Sequence, residues 1–578
     1  MEEENILLNP KDTMKKLWEY IFFYKKKLFL VIALTIISTI LSVLTPYLLS
    51  YILDYVLGKK FFSVLKYTLL LLSFYMITVI ISRITSVVML KISEEVLSNI
   101  RKDLFSSLEN LSISFFDKHP KGDIMSRFTS DLEMLEDILS DSLVDLITSI
   151  LTLIGTLVMM FILNISLSIV TIITVPIFFI VALKIGVKTG NTFKKQQNDI
   201  GKLNSYFEEY VTNMKIVKSF NIEENIKKQF DLKNNEVKKD EMNAQFFSNL
   251  LVPLNTFISN LGNFLILIVG AFLVLKGDIT VGIILAFISY SSMFRSPINT
   301  LASTFASIQS ALAGAERIFD IMNTSSEIKE AKVTKNIGNI KKISFKNVSF
   351  KYEQDFILKD ITFSLEKKQS LAIVGKTGSG KTTLISLILR LYDICEGEIF
   401  LNETNIKDIS FKELYQKVGV ILQEPFLFEG TIMDNLLYGN QKSEKEAYKA
   451  SIETSLDDFI KKLPNGYNFY VEENGANLSV GEKQLIALTR VVLKDPDVLI
   501  LDEATSSTDL YTEKKVYEAM LKLMKKKTTI VIAHRLKTIR NVDNIMLLEN
   551  GKIVEYGRHD LLLEKKGKYY KLYMSQFS

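Results

Sequence analysis

The chain has 578 residues, 48% of them hydrophobic, and a formal net charge of only +5. That length exceeds one ordinary core, and so small a charge over so long a chain gives no case for nucleic-acid binding. A single cysteine, Cys395, excludes an intrachain disulfide or a CxxC metal framework, and the dispersed histidines His119, His534 and His559 show no ligand spacing.

In chain order, residues 11–24 form an amphipathic stretch with Trp18, Tyr20, Phe22 and Phe23 among lysines, suited to lie along a membrane surface. Runs near 28–57, 64–90, 141–163, 165–187, 250–275 and 281–305 follow. Each reaches the roughly 20 apolar residues that span a bilayer. Tight turns at 58–60, at Asn164 and at 276–278 join them in pairs, which predicts three helical hairpins with all three turns on one side. The other side receives the N-terminus, residues 91–140, residues 188–246 and the C-terminal region. The lysines at 25–27 and those of 188–239 make that side cytosolic by the positive-inside rule, against a weak contrary bias from Lys59 and Lys60.

Both long excursions keep a helical pattern, with breaks expected at 116–122, around Pro120 and Gly122, and near 212–220. Charged residues within or near the spans are Asp54, Arg83, Asp145, Lys184 and Arg295. Asp145 and Lys184 read as snorkelling near span ends. Arg83 and Arg295 are the candidates to face a cavity, where ionisable groups at membrane depth usually sit. The expected organisation is a membrane domain over 1–321, a polar linker over 322–342 and a soluble α/β domain over 343–578, where apolar alternation begins at Ile343, Phe345, Val348 and Phe350.

The soluble part carries chemistry. A buried-strand run, 371–374, precedes a glycine-rich turn with Gly375, Gly380, Lys381 and Thr382 at the spacing of a phosphate loop. Glycines let backbone N–H groups close around phosphate oxygens, and the following helix points its positive end at them. The stretch Gly375, Lys376, Thr377, Gly378, Ser379, Gly380, Lys381, Thr382 and Thr383 is therefore the expected ATP-binding loop. Lys381 would reach the terminal phosphates and Thr382 would offer its hydroxyl to Mg²⁺. A second buried run, 498–501, ends at Asp502 and Glu503. Asp502 suits support of the Mg²⁺ shell, and Glu503 suits a general base that polarises water. A strand ending at His534 would let that histidine donate to the γ-phosphate. Gln423, after the strand at 420–422, could contact Mg²⁺ and the water, and Tyr352 could stack on a base.

Tyr352, the loop at 375–382, Gln423, LSVGEKQ at 478–484, LILDE at 499–503, SSTD at 506–509 and His534 occur in one order. The set resembles the ATP-binding-cassette ATPases. With the six spans, the chain resembles half-size exporters of that family, with an all-α six-helix transmembrane domain followed by an α/β phosphate-loop ATPase domain. Residues 115–139 and 210–224 look like the family's two cytosolic turns. The resemblance implies ATP-driven transport by alternating access, with two ATPase domains meeting head to tail. Each ATP would be held by the loop of one and the LSVGE segment of the other, where Ser479 and the Gly481 backbone would cap the γ-phosphate. Tyr352 would stack on adenine.

The signature departs from the family's LSGGQ: Val480 replaces a glycine, and Glu482 replaces a glutamine and adds a negative charge near the triphosphate. The partner is a second half-transporter chain, identical or not, since the altered signature beside an intact Glu503 fits either. The substrate is expected to be a hydrophobic drug, lipid or peptide, the setting a bacterial cell membrane, and nucleic acid no partner. An ATP-gated channel and an importer on the same fold stay open at this point.

Overall fold

The structure is a computed structural model and describes residues 10–331, 335–352, 354–423, 425–502, 510–532 and 539–575. The chain divides into two compact units, Met1–Glu109 with Lys121–Thr324 and Asn110–Pro120 with Ser325–Ser578.

The first unit is helical. Its elements begin with α1 (Pro10–Phe22), α2 (Lys25–Leu57) and α3 (Phe61–Glu109). The short helix α4 (Ile113–Lys118) belongs to the second unit. The first unit resumes with α5 (Lys121–Phe128), α6 (Ser130–Asp137), a π-helical turn at Ile138–Ser142, α7 (Leu143–Leu163) and α8 (Ile165–Thr212). It closes with α9 (Met214–Phe220), α10 (Glu223–Lys276) and α11 (Val281–Asn323). Among the described residues, five stretches are long and apolar enough to cross a bilayer: Lys25–Leu57, Phe61–Glu109, Lys121–Leu163, Thr256–Lys276 and Val281–Asn323. The fourth run read from the sequence, 165–187, falls within α8, where several side chains lie outside the described residues.

The turns explain the hairpins. Asn164 caps α8 by accepting from the Leu167 amide, and Gly277 ends α10 in the left-handed region at φ 83°. The start of α11 is held from another helix: Asp54 of α2 accepts from the Gly282 amide at 2.9 Å and the Thr280 hydroxyl at 2.7 Å. A side chain at 282 would meet the Ser50 carbonyl at 2.2 Å, so glycine is what permits this approach. Val43, Met160, Leu167, Ile266, Phe287 and Tyr290 form a buried cluster, with the Tyr290 hydroxyl donating to the Val43 carbonyl. Beyond it, α3 buries Ile92, Val96, Leu97, Ile100 and Leu104, a stripe at helical spacing. The excursions break where the residues predict, with α4 ending just before Pro120 and α9 flanked by Asn213 and Asn221.

The second unit is α/β. Strands β1 (Lys342–Lys351), β2 (Phe356–Glu366), β4 (Glu396–Leu401) and β5 (Thr404–Asn405) form an antiparallel sheet in the order β2-β1-β4-β5. A six-stranded sheet runs β12-β11-β3-β10-β9-β6. Its strands are β3 (Ser370–Val374), β6 (Val418–Ile421), β9 (Val498–Asp502), β10 (Thr528–Ile532), β11 (Asn544–Glu549) and β12 (Lys552–Gly557), and a small pair, β7 (Gly430–Thr431) and β8 (Tyr470–Val471), stands apart. All neighbours in the six-stranded sheet are parallel except β11 and β12. Leu371 and Ile373 enter one core cluster, Ala372 and Val374 the other, so β3 is buried on both faces. That is why its residues read as one apolar run.

Part of the stretch 322–342, read from the sequence as a polar linker, packs on the second unit. Ile337 and Ile340 are buried in the second unit, and the Ile340 amide donates to Asp497 at 3.0 Å. Two isolated isoleucines make no periodic pattern, which is why composition alone hid them.

Candidate functional site

Four parallel strands, β3, β10, β9 and β6, end at one edge of the sheet, the place where open α/β sheets bind ligands. The register aligns Ile373 with Ile532, Ile532 with Asp502, and Leu501 with Ile421. Gly375, Asp502 and Gln423 therefore fall within about two residues of one level at that edge.

Val374 passes into the loop and α12 (Lys381–Ile388) begins after Gly380. Gly378 and Gly380 have φ of 82° and 99°, which glycine adopts without strain. A side chain at 380 would stand 2.7 Å from buried Leu358. Lys376, Thr377 and Thr382 are exposed, whereas Ser379, Lys381 and Thr383 are buried. The Lys381 ammonium donates to the carbonyls of Gly375 at 2.8 Å and Lys376 at 3.0 Å, which holds the loop closed. Two features fit an anion in this cradle. The buried Ser379 hydroxyl has no hydrogen-bond partner among the described residues, and α12 starts with no side-chain cap on its first turn. Among the described residues no cluster of three His, Cys, Asp or Glu could hold a metal alone. Asp502 closes β9 at this edge, and Thr382 is exposed in the first turn of α12.

Tyr352 follows β1. Its hydroxyl donates to Thr383 at 3.3 Å, and its ring meets Phe350 and Tyr392 edge-on, with centroids 4.9 and 5.0 Å away. Beside it lies a cavity of 440 Å³ lined in part by Ser114, Asp117, Tyr392 and Cys395. The Tyr392 hydroxyl donates to Asp117 of α4, and burial, with that carboxylate, pushes the phenol up. Sequence reading missed both residues, for they are 275 positions apart and neither has a local signal.

The LSVGE segment opens the helix Val480–Lys494. Exposed Ser479 is its N-cap. Glu482 accepts from the Ser479 amide at 2.7 Å while the Ser479 hydroxyl accepts from the Glu482 amide at 3.4 Å, a reciprocal capping box. Gly481 is buried. Gln484, which ends the LSVGEKQ segment and was given no role there, is 1% exposed, with both amide atoms unpaired among the described residues. Its place three residues after Gly481 and one before Leu485 put it on the buried face. Glu503, His534 and residues 506–509 lie outside the described residues.

Comparison with known proteins agrees with this layout. Residues 28–298 match the model of the ABC transporter transmembrane region, and residues 358–506 match the ABC transporter model. The chain is 37% identical, over 98% of its length and 95% of the relative's, to the uncharacterized ABC transporter ATP-binding protein YfiC of Bacillus subtilis. It is 33% identical to the ATP-dependent lipid A-core flippase of Syntrophus aciditrophicus, covering 85% of this chain and 82% of the flippase. It is 35% identical to a fatty acid ABC transporter ATP-binding/permease protein of Mycobacterium tuberculosis, covering 83% and 76%. Among solved structures, a bacterial Atm1-family ABC exporter with ATP bound matches with a TM-score of 0.77 at 25% identity, covering 96% of this chain and 98% of that one.

Proposed function

This chain belongs to the ATP-binding-cassette transporters and couples ATP hydrolysis to transport across a membrane, and from that premise we propose that it is one half of a dimeric exporter of amphipathic substrates. The observation that carries the reading is the phosphate cradle, with its unpartnered Ser379 hydroxyl and uncapped helix, in one chain with the membrane-spanning helices. The unit is multi-pass, with the N-terminus and ATPase domain in the cytosol of a bacterial cell. The domains run over 1–321 and 343–578.

In this reading residues Gly375 to Thr383 hold the triphosphate, with Lys381 leaving its carbonyl partners for the β- and γ-phosphates. Tyr352 stacks on adenine. The partner chain, identical or not, presents its LSVGE segment, so Ser479 and the Gly481 amide close the site in trans. Thr382, Gln423 and Asp502 would hold Mg²⁺, which neutralises phosphate charge when bound. Glu503 orients and deprotonates the attacking water, and His534 donates to the γ-phosphate. Binding of two ATP molecules closes the ATPase domains and turns the spans outward; hydrolysis resets them. Relatives named for lipid A-core and fatty acid favour an amphipathic lipid-like substrate.

The test is Glu503→Gln in the purified full chain. Steady-state hydrolysis is expected to fall to background while ATP binding persists and the dimer is trapped closed. Hydrolysis retained at the wild-type rate would remove Glu503 as the base.

A further inference from the structure

Arg295 is a charged group of the spans whose chemistry the ATPase cycle does not use. Arg295 lies fourteen residues into α11, about 21 Å from its start at 1.5 Å per residue, within a hydrocarbon core about 30 Å thick. It is 9% exposed. Its side chain turns back along its own helix: Nε donates to the Ser291 carbonyl at 2.9 Å and Nη2 to the Ser291 hydroxyl at 2.6 Å. Nη2 also lies 3.4 Å from the Asn263 oxygen of α10. Nη1 is buried with no hydrogen-bond partner among the described residues. Among the described residues no carboxylate pairs with the guanidinium.

Snorkelling does not account for this. A snorkelling arginine extends toward the nearer water and keeps its head wet. Arg295 instead folds toward residue 291, the hairpin-turn end of α11, and stays dry. A full positive charge with an unmet donor, away from water, is retained at a cost and calls for a compensating anion. Asp54, the carboxylate at the other end of α2 and α11, is engaged by Gly282 and Thr280.

Resting on the exporter reading above, we infer that Arg295 and Asn263 form the headgroup site of the substrate, and that the substrate is an anionic amphiphile carrying a carboxylate or phosphate. The planar guanidinium can present two parallel donors to either oxyanion. Nη1 becomes available as α10 and α11 part, and Asn263, with both a donor and an acceptor, orients the group. The apolar tail remains among the spans.

The experiment uses the full-length protein in nanodiscs of neutral lipid and reads ATPase stimulation and direct binding. The probes are decanoate, decyl phosphate, decanol and decyltrimethylammonium. Wild type is expected to respond to the two anions at concentrations at least about tenfold lower than to decanol, a preference worth about 1.4 kcal/mol. Arg295→Gln should erase that preference and Arg295→Lys should keep part of it. Asn263→Asp places a resident carboxylate beside the guanidinium, so it should fold at least as well as wild type and also lose the preference. That variant keeps the test valid if Arg295→Gln fails to fold. Decanoate against decyl phosphate separates a fatty-acid-like substrate from a phosphorylated one. Equal responses to anion and alcohol in an active wild type, or a preference that survives Asn263→Asp, would overturn the inference and leave the exporter standing. A wild type with no ATPase under any condition would overturn both.

Discussion

The helix after the phosphate loop and the helix that LSVGE opens present the same partial positive charge at their first turns, and the chain treats them oppositely. At α12 no side chain caps the first amides, and the hydroxyl of Ser379, just before it, is left without a partner among the described residues. At Val480–Lys494 the amides are answered from within by Ser479 and Glu482. The same box recurs at Thr431 with Asp434 and at Ser443 with Glu446. An uncapped start is tolerable where an anion arrives to fill it. A capped one is stable alone and can approach a ligand already held elsewhere. In the proposed function, that difference separates the surface that captures nucleotide from the surface that closes over it.

The largest expected effect comes from spoiling the open start. Gly380→Ala forces a side chain into left-handed backbone and against Leu358. Such strain is worth about 1–3 kcal/mol. It shifts the loop away from the competent form, so ATP affinity should fall roughly 5- to 150-fold. Isothermal titration measures it, and unaltered affinity would mean the loop geometry is not what binds.

A smaller effect separates cap from charge at the closed start. Glu482→Gln preserves the capping box and removes the carboxylate, so the melting temperature should hold while steady-state ATPase rises severalfold. Glu482→Ala loses the box, about 1 kcal/mol, and should lower melting as well. A Gln variant no faster than wild type would show that this carboxylate does not face the triphosphate.

The smallest effect is a pH response confined to capped starts. Hydrogen bonds from Thr431 hold Asp434 below the usual carboxylate range, and those from the Ser443 amide and hydroxyl hold Glu446 down to about 2. A depressed folded pKa contributes stability above the unfolded value and loses it as pH falls through the folded one. Amide exchange in Ile432–Leu437 and Glu444–Glu453 should therefore rise as pH drops from about 4.5 toward 2, relative to α12, which has no titrating cap. Matching acceleration in α12 would erase the contrast.

Much of this was legible in residue order. Fixed spacing revealed the phosphate loop because each glycine answers a backbone need, and the hairpins because apolar length and tight turns leave few alternatives. The capping boxes are legible too, as S-x-x-E at 443 and 479. Tyr392 and Asp117 were not legible, since a pairing across 275 positions has no local trace. Burial of Gln484 followed from its place on the helix, but its lack of a partner did not. Arg295 was marked as a cavity candidate by depth alone; its orphan nitrogen needed coordinates.

Residues Asn110–Pro120 belong to the second unit although they are made inside the first, and this shapes how the protein is made. The chain leaves the first unit, contributes that piece, and returns for the 204 positions of Lys121–Thr324 before the rest of the second unit begins. At about 5–20 residues per second, a ribosome takes roughly 10–40 s over that detour. Phe115, almost fully covered in the finished molecule, emerges first and must wait, uncovered, for a surface not yet translated. The second unit cannot be completed until the first has been translated in full, so a holdase that shelters this early segment would raise the yield of finished protein.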